Sequence, residues 1–150
     1  ESNCLEKQFG AISSIKAEVV YGSEGKSRID LLLEPAISNK DRRKIYVEVK
    51  NATWSSNSVA LFPDTVTTRG QKHLRELMGV CPNSRAVLIP CISRSDMDIF
   101  APGDSADPLY GELFRDALSK GVEVIPCSFG FFYDHISWEG FKPFRNFQEK

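Results

Sequence analysis

No apolar run in this chain is long enough to cross a membrane, no signal peptide is recognisable, and no CxxC pair occurs. The first two absences remove the bilayer-spanning and secreted classes, so no membrane partner is expected. The third removes the usual zinc and redox cysteine motifs. Cys4, Cys81, Cys91 and Cys127 stand far apart, and a chain of 150 residues needs no staples, so free thiols in a reducing compartment are expected, with Cys127 in the core. Charge of one sign is missing too: 19 Lys plus Arg face 20 Asp plus Glu, a net charge of −1. Proteins held on nucleic acid by bulk charge are more basic, so such a partner must be gripped by a local patch. There is no internal repeat and no low-complexity segment. An initial methionine is also lacking, so upstream sequence is expected, either an organellar transit peptide or a whole domain. The expected location is cytoplasmic, or organellar if a transit peptide has been removed.

What is present fits one domain with one core, 41% hydrophobic and 26% charged. A helix is expected at 3–16, with Asn3 as cap and Leu5, Phe9 and Ile12 on one side. Strands follow at 17–22, 27–34 and 44–54, joined by loops too short for crossover helices and therefore antiparallel. After a connecting loop, Asp64 or Thr65 can cap a helix running to Met78, with Gly79 as stop signal. Residues 85–93 form a strand in which Pro90 argues for an edge or a bulge. Asp107 and Pro108 open a helix over 108–120 whose buried stripe is Leu109, Leu113, Phe114, Ala117 and Leu118. A last strand begins at Val122. The order predicts an α/β fold with a mixed central sheet flanked by helices. The tail holds Phe129, Phe131, Phe132, Tyr133, Trp138, Phe141, Phe144 and Phe147. It reads as core and edge covering, with a base-stacking platform or a homo-oligomer contact through this aromatic C-terminal segment as the other readings.

The chemistry centres on Glu48-Val49-Lys50. An acid-x-lysine triplet is weak alone, because random placement predicts about 1.3 in this composition and the chain has a second at Glu24-Gly25-Lys26. Context separates the two. Glu48 and Lys50 share one face of a strand, about 7 Å apart along it. Asp30 interrupts the apolar strand before it, and two adjacent carboxylates repel unless a cation holds them. Arg69 and His73 lie four apart on one helix side with Lys72 nearby, and Glu6 offers a further carboxylate. Asp30, Glu48 and the Val49 carbonyl would suit Mg²⁺ or Mn²⁺, which prefer hard oxygen ligands. Lys50 would orient or help deprotonate water, and Arg69 and His73 would contact phosphate or, for His73, act as an acid. On the residues alone the opposite reading stays open: Glu48 and Lys50 as solvated strand residues, with Asp30 paired to Arg28.

"SRIDLLL" at 27–33, "YVEVKNATW" at 46–54, "ALFPDTVTTRGQKHLRELM" at 60–78, "RAVLI" at 85–89 and "DPLYGELFRDALSKGVEVI" at 107–125 resemble the sugar fermentation stimulation protein family, SfsA. The resemblance implies a restriction-endonuclease-like core of the PD-(D/E)XK superfamily. In it Asp30 and Glu48 match the acidic metal ligands, Lys50 the motif lysine, Arg69 and His73 the helix pair, and Glu6 an N-terminal acid. It further implies a metal-dependent nuclease acting on DNA or RNA, with Arg28, Arg69, Lys72, His73 and Arg94 as nucleic-acid contacts. A non-catalytic nucleic-acid-binding or transcription-associated module is the alternative. Family members usually begin with an OB domain, and this chain starts after where one would end. Residues 1–150 are therefore expected to be the C-terminal nuclease-like domain. Ser93 also departs from a glutamine found in many members, while Arg94 and Asp96 match.

Overall fold

The computed structural model describes residues 4–22 and 25–146; the expected cap Asn3, Glu24 and Phe147 lie outside them. The chain runs α1 (Cys4–Phe9), β1 (Ile12–Tyr21), β2 (Ser27–Pro35), β3 (Ile45–Ala52), β4 (Trp54–Ser56), β5 (Val59–Phe62), α2 (Thr68–Val80), β6 (Arg85–Ile92), β7 (Ile99–Pro102), α3 (Pro108–Ser119), β8 (Glu123–Val124), β9 (Cys127–Phe131) and β10 (Ile136–Phe141). The main sheet has the order β1-β2-β3-β6-β9-β10, with β8 also on β6, and a smaller sheet is β4-β5-β7. β1, β2 and β3 pair antiparallel, while β6 joins β3 in parallel and β8 and β9 join β6 in parallel. The expected mixed sheet flanked by helices is therefore present.

Several expected boundaries move, each for a local reason. The first helix stops at Phe9 because Gly10 turns left-handed at φ +78° and donates its amide to the Glu6 carbonyl. The β-branched Ile12 and Ile15 then continue as strand. The segment read as a connecting loop holds β4 and β5, and the turn-rich stretch after β6 holds β7; strands of three or four residues leave little periodicity to see. Thr67, rather than Asp64 or Thr65, caps α2, its side chain accepting from the Gly70 amide at 3.1 Å. Gly79 does not stop that helix, which continues to Val80.

Pro90 sits mid-sheet, opposite Lys50 of β3, not at an edge. Leu88, two residues before it, turns its carbonyl toward the amide of Ile125. The missing Pro90 donor therefore falls in the interval between β8 and β9, where no ladder bond is required.

Both faces of the sheet are covered. On one, Leu74 and Leu77 of α2 and Tyr110, Phe114 and Ala117 of α3 bury Tyr21, Ile29, Leu32, Ala86, Leu88 and Ile92. On the other, Leu5 and Phe9 of α1 cover Leu33, Ile45, Val47, Val87, Ile89 and Cys127. Each fully buried aliphatic side chain contributes about 1.5–3 kcal/mol of transfer free energy. The α3 stripe differs from expectation: Leu109 is exposed and Tyr110 takes the inward place, its ring edge-on to Phe62. Of the aromatic tail, Phe131, Phe132, Tyr133 and Phe141 are exposed, while Phe144 packs on the core and touches Phe114.

A buried acid–lysine–histidine cluster beside a basic cleft

Strand alternation puts Ile45, Val47 and Val49 toward α1 and leaves Tyr46, Glu48 and Lys50 toward α2. α2 is set in place at its N-terminus by Asp107, which is 2% exposed. Asp107 accepts the Thr67 amide at 2.9 Å, the Gln71 side-chain amide at 3.1 and 2.9 Å, and the Tyr110 amide at 3.0 Å. One carboxylate thus caps α3 and fixes the first turn of α2. Burial pushes its pKa up, and these donors outweigh burial, holding it below the ordinary aspartate value. Gly70 lets the helices approach: a Cβ there would lie 3.2 Å from the Tyr110 ring and 2.7 Å from the Thr67 methyl.

Held this way, α2 points His73 at Glu48. The Glu48 side chain is 2% exposed, and its Oε1 receives Lys50 Nζ at 2.6 Å and lies against His73 Nδ1. Lys50 Nζ is also 3.1 Å from His73 Nδ1. With its proton on Nδ1 His73 donates to Glu48; without it, His73 accepts from Lys50. Burial would raise the Glu48 pKa, but the His73 and Lys50 bonds overcome it and hold the carboxyl below its ordinary value, so it is an anion at neutral pH. Its second oxygen, Oε2, is buried without a hydrogen-bond partner among the described residues.

Asp30 comes from β2 to the backbone next to Glu48. The β2–β3 ladder ends at Leu31–Val47, and one further step of that register sets Asp30 opposite Glu48. There the strands part, and Asp30 Oδ2 accepts the Val49 amide at 2.7 Å. A bend in β1 accompanies the parting: Glu18, opposite Asp30 in the β1–β2 register, is left-handed at φ +54°. A strand residue's amide and carbonyl project to one edge, so the Val49 carbonyl shares the gap with Asp30. Among the described residues no three Asp, Glu, His or Cys side chains converge as a ligand set. The donors available to a cation are therefore two carboxylates and one carbonyl. These are hard oxygens, and one of them, Glu48 Oε2, is buried with no hydrogen-bond partner among the described residues, which is the chemistry a divalent cation satisfies.

A cleft of about 530 Å³ opens beside His73, lined by Glu18, Lys26, Ser27 and Arg28 from the β1–β2 end and by Thr68, Arg69, Lys72 and His73 from α2. Arg28, Arg69, Lys72 and His73 are thus gathered as the sequence suggested. Two other expected site residues are not. Glu6 is exposed on α1, which packs on the opposite face of the sheet. Arg94 is exposed and bound to Asp96 at 2.7 Å and to the Thr53 carbonyl at 3.4 Å, and it does not line the cleft.

Sequence reasoning missed Tyr21 and Tyr110, whose hydroxyls are buried without hydrogen-bond partners among the described residues. Burial pushes both phenols well up. The Glu48 charge adds to each, followed by Glu76 and Asp30 for Tyr21 and by Asp107 for Tyr110. No spacing signal marks either tyrosine, since each sits in an apolar run and passes for core.

A mixed α/β domain with this sheet order and this acidic and basic cluster is the class the geometry defines. The family model described as the sugar fermentation stimulation protein RE domain matches residues 1–134, and the chain belongs to the SfsA family. It is 74% identical over 149 residues to the sugar fermentation stimulation protein homolog of Prochlorococcus marinus (strain NATL2A), covering 99% of this chain and 58% of that protein. The homolog of Synechococcus sp. (strain WH7803) is 66% identical over 143 residues, covering 95% and 56%. The chain thus spans somewhat over half the length of these relatives. Among solved structures, SfsA of Pyrococcus furiosus in complex with Ca²⁺ superposes with a TM-score of 0.83 at 27% identity, covering 94% of this chain and 58% of that one.

Proposed function

We propose that this chain is a divalent-metal-dependent nuclease domain that hydrolyses phosphodiester bonds of DNA or RNA, with a site of the PD-(D/E)XK kind. The observation that carries the reading is a buried Glu48 bound by Lys50 and His73, with Asp30 on the neighbouring Val49 amide, beside a basic cleft that His73 lines. The Ca²⁺ complex of the Pyrococcus furiosus relative supports a cation in this family. Asp30, Glu48 and the Val49 carbonyl would hold it, with Mg²⁺ or Mn²⁺ as the working ion. When bound, the ion supplies Lewis acidity and offsets charge on the phosphate oxygens.

The rest is the protein's own chemistry. Arg28, Arg69 and Lys72 hold the backbone phosphates in the cleft, whose lining among the described residues includes no Phe, Tyr or Trp on which a base could stack. Lys50, fixed by Glu48, orients the attacking water and offsets charge as it builds on the phosphate. When Nδ1–H of His73 donates to Glu48 the ring fixes that carboxylate, and in the doubly protonated form its other N–H is left to donate to a phosphate oxygen or leaving group. The second reading, a nucleic-acid-binding module without catalysis, draws on one observation: Lys50 and His73 both occupy Glu48 Oε1.

One panel separates them. Wild type, Asp30→Ala and Glu48→Ala are incubated with single- and double-stranded DNA and RNA in Mg²⁺, Mn²⁺ or EDTA. The nuclease reading expects metal-dependent cleavage by wild type alone. Binding without cleavage in every metal would support the module, and cleavage surviving both substitutions would refute the site.

A further inference from the structure

The side of the sheet away from the site holds a second reactive arrangement. Cys91 on β6 and Cys127 on β9 are direct partners in the parallel register, with Sγ atoms 3.8 Å apart. Neighbouring strands lie about 4.8 Å apart, within the roughly 4.4–6.8 Å between Cα atoms that a disulfide spans. Closing the remaining sulfur gap requires only side-chain rotation, and room for it exists. A cavity of about 150 Å³ with an apolar lining adjoins both thiols, walled by Phe9, Val49 and Phe129 and also by Cys4.

We propose that Cys91 and Cys127 form an oxidation site, a dithiol that hydrogen peroxide converts to an intramolecular disulfide joining β6 to β9. Cys91 is the partly exposed member and Cys127 the buried one, so Cys91 meets the oxidant first. The contact between the two sulfurs also lowers the Cys91 thiol from its ordinary value, whereas Cys127 is pushed up by that contact and by burial. The Cys91 thiolate attacks one peroxide oxygen. The O–O bond breaks, and the departing oxygen leaves as water after taking up a proton, which gives a sulfenic acid. Cys127 sulfur then attacks the Cys91 sulfur, the S–O bond breaks, and the hydroxide leaves with the Cys127 proton as a second water. Two thiols have lost two electrons and the hydrogen peroxide has gained them.

The test uses the full chain. It is treated with hydrogen peroxide in small excess, alkylated, digested and mapped by mass spectrometry. The expected result is loss of two of the four titratable thiols, a Cys91–Cys127 cross-linked peptide, and recovery of both thiols with dithiothreitol. Cys4→Ala should give the same cross-link, and Cys127→Ala should stop at a Cys91 sulfenic acid that dimedone traps. A map with four intact thiols, with Cys91 over-oxidised beside a free Cys127, or with the cross-link made to Cys4 would overturn the proposal. The wild-type map decides it even if the buried Cys127 position does not tolerate alanine.

Discussion

On the α1 side of β3, Ile45, Val47 and Val49 pack among Leu33, Val87, Ile89 and Cys127 in an apolar layer. On the α2 side of the same strand, Glu48 and Lys50 meet His73, and Asp107 and Gln71 are buried close behind on the helices. One face is ordinary core whose stability comes from area removed from water. The other buries charge, which costs free energy unless every group is paired. The comparison teaches where stability alone does not account for the residues present. Hydrophobic residues could occupy the Glu48 and His73 positions with less electrostatic cost, so these two side chains fit the proposed site better than a role in stability, whereas Asp107 on the same side holds α2 to α3.

Breaking the polar face should cost activity before stability. Glu48→Ala and Asp30→Ala are each expected to lower metal-dependent cleavage by at least about a hundredfold, the scale of a lost electrostatic group in an active site, measured as initial rates on a labelled strand. Breaking the apolar face should do the reverse. Val47→Ala, fully buried under α1, should lose about 1–3 kcal/mol, read from denaturant melts, with kcat little changed.

Asp107 tests the scaffold behind the site. Asp107→Ala removes the acceptor shared by Thr67, Gln71 and Tyr110 and should destabilise by on the order of 3 kcal/mol, since bonds to a charged group carry about 1.5–3 each and overlap here. Because the folded pKa of Asp107 lies below its unfolded value, its contribution is complete above the unfolded pKa, near 3.9. It is lost as pH falls through the folded value. Asp107→Asn should flatten that acid-side slope in melts run from neutral pH downward. The smallest effect is expected from Tyr110→Phe. The hydroxyl makes no hydrogen bond with the described residues, so stability should change by less than about 1 kcal/mol.

Much of the site was legible because strand periodicity is strict. Once β2 and β3 were read as antiparallel neighbours, Asp30 had to come near Glu48, and the four-residue spacing put Arg69 and His73 on one side of α2. What escaped depended on contacts between distant segments. Nothing at Asp107 announces that its carboxylate crosses to Thr67 and Gln71, forty and thirty-six residues away in sequence. The left-handed Glu18 is a non-glycine in a strand, and no local rule marks it or the parting of β2 from β3 that brings Asp30 to the Val49 amide. Tyr110 was passed over for Leu109 because helical phase at a proline-started helix is uncertain by one residue until the packing partner, Gly70, is known.

The central claim is that the Lys50 side of β3 performs hydrolysis, and Lys50→Ala tests it most directly. Cleavage and nucleic-acid affinity are measured on the same strand with Mn²⁺, at matched protein concentrations. The account predicts that cleavage falls by at least about a hundredfold while affinity, carried by Arg28, Arg69 and Lys72 in the cleft, changes by no more than severalfold. Equal cleavage by Lys50→Ala and wild type, or affinity and cleavage falling together in proportion, would contradict it.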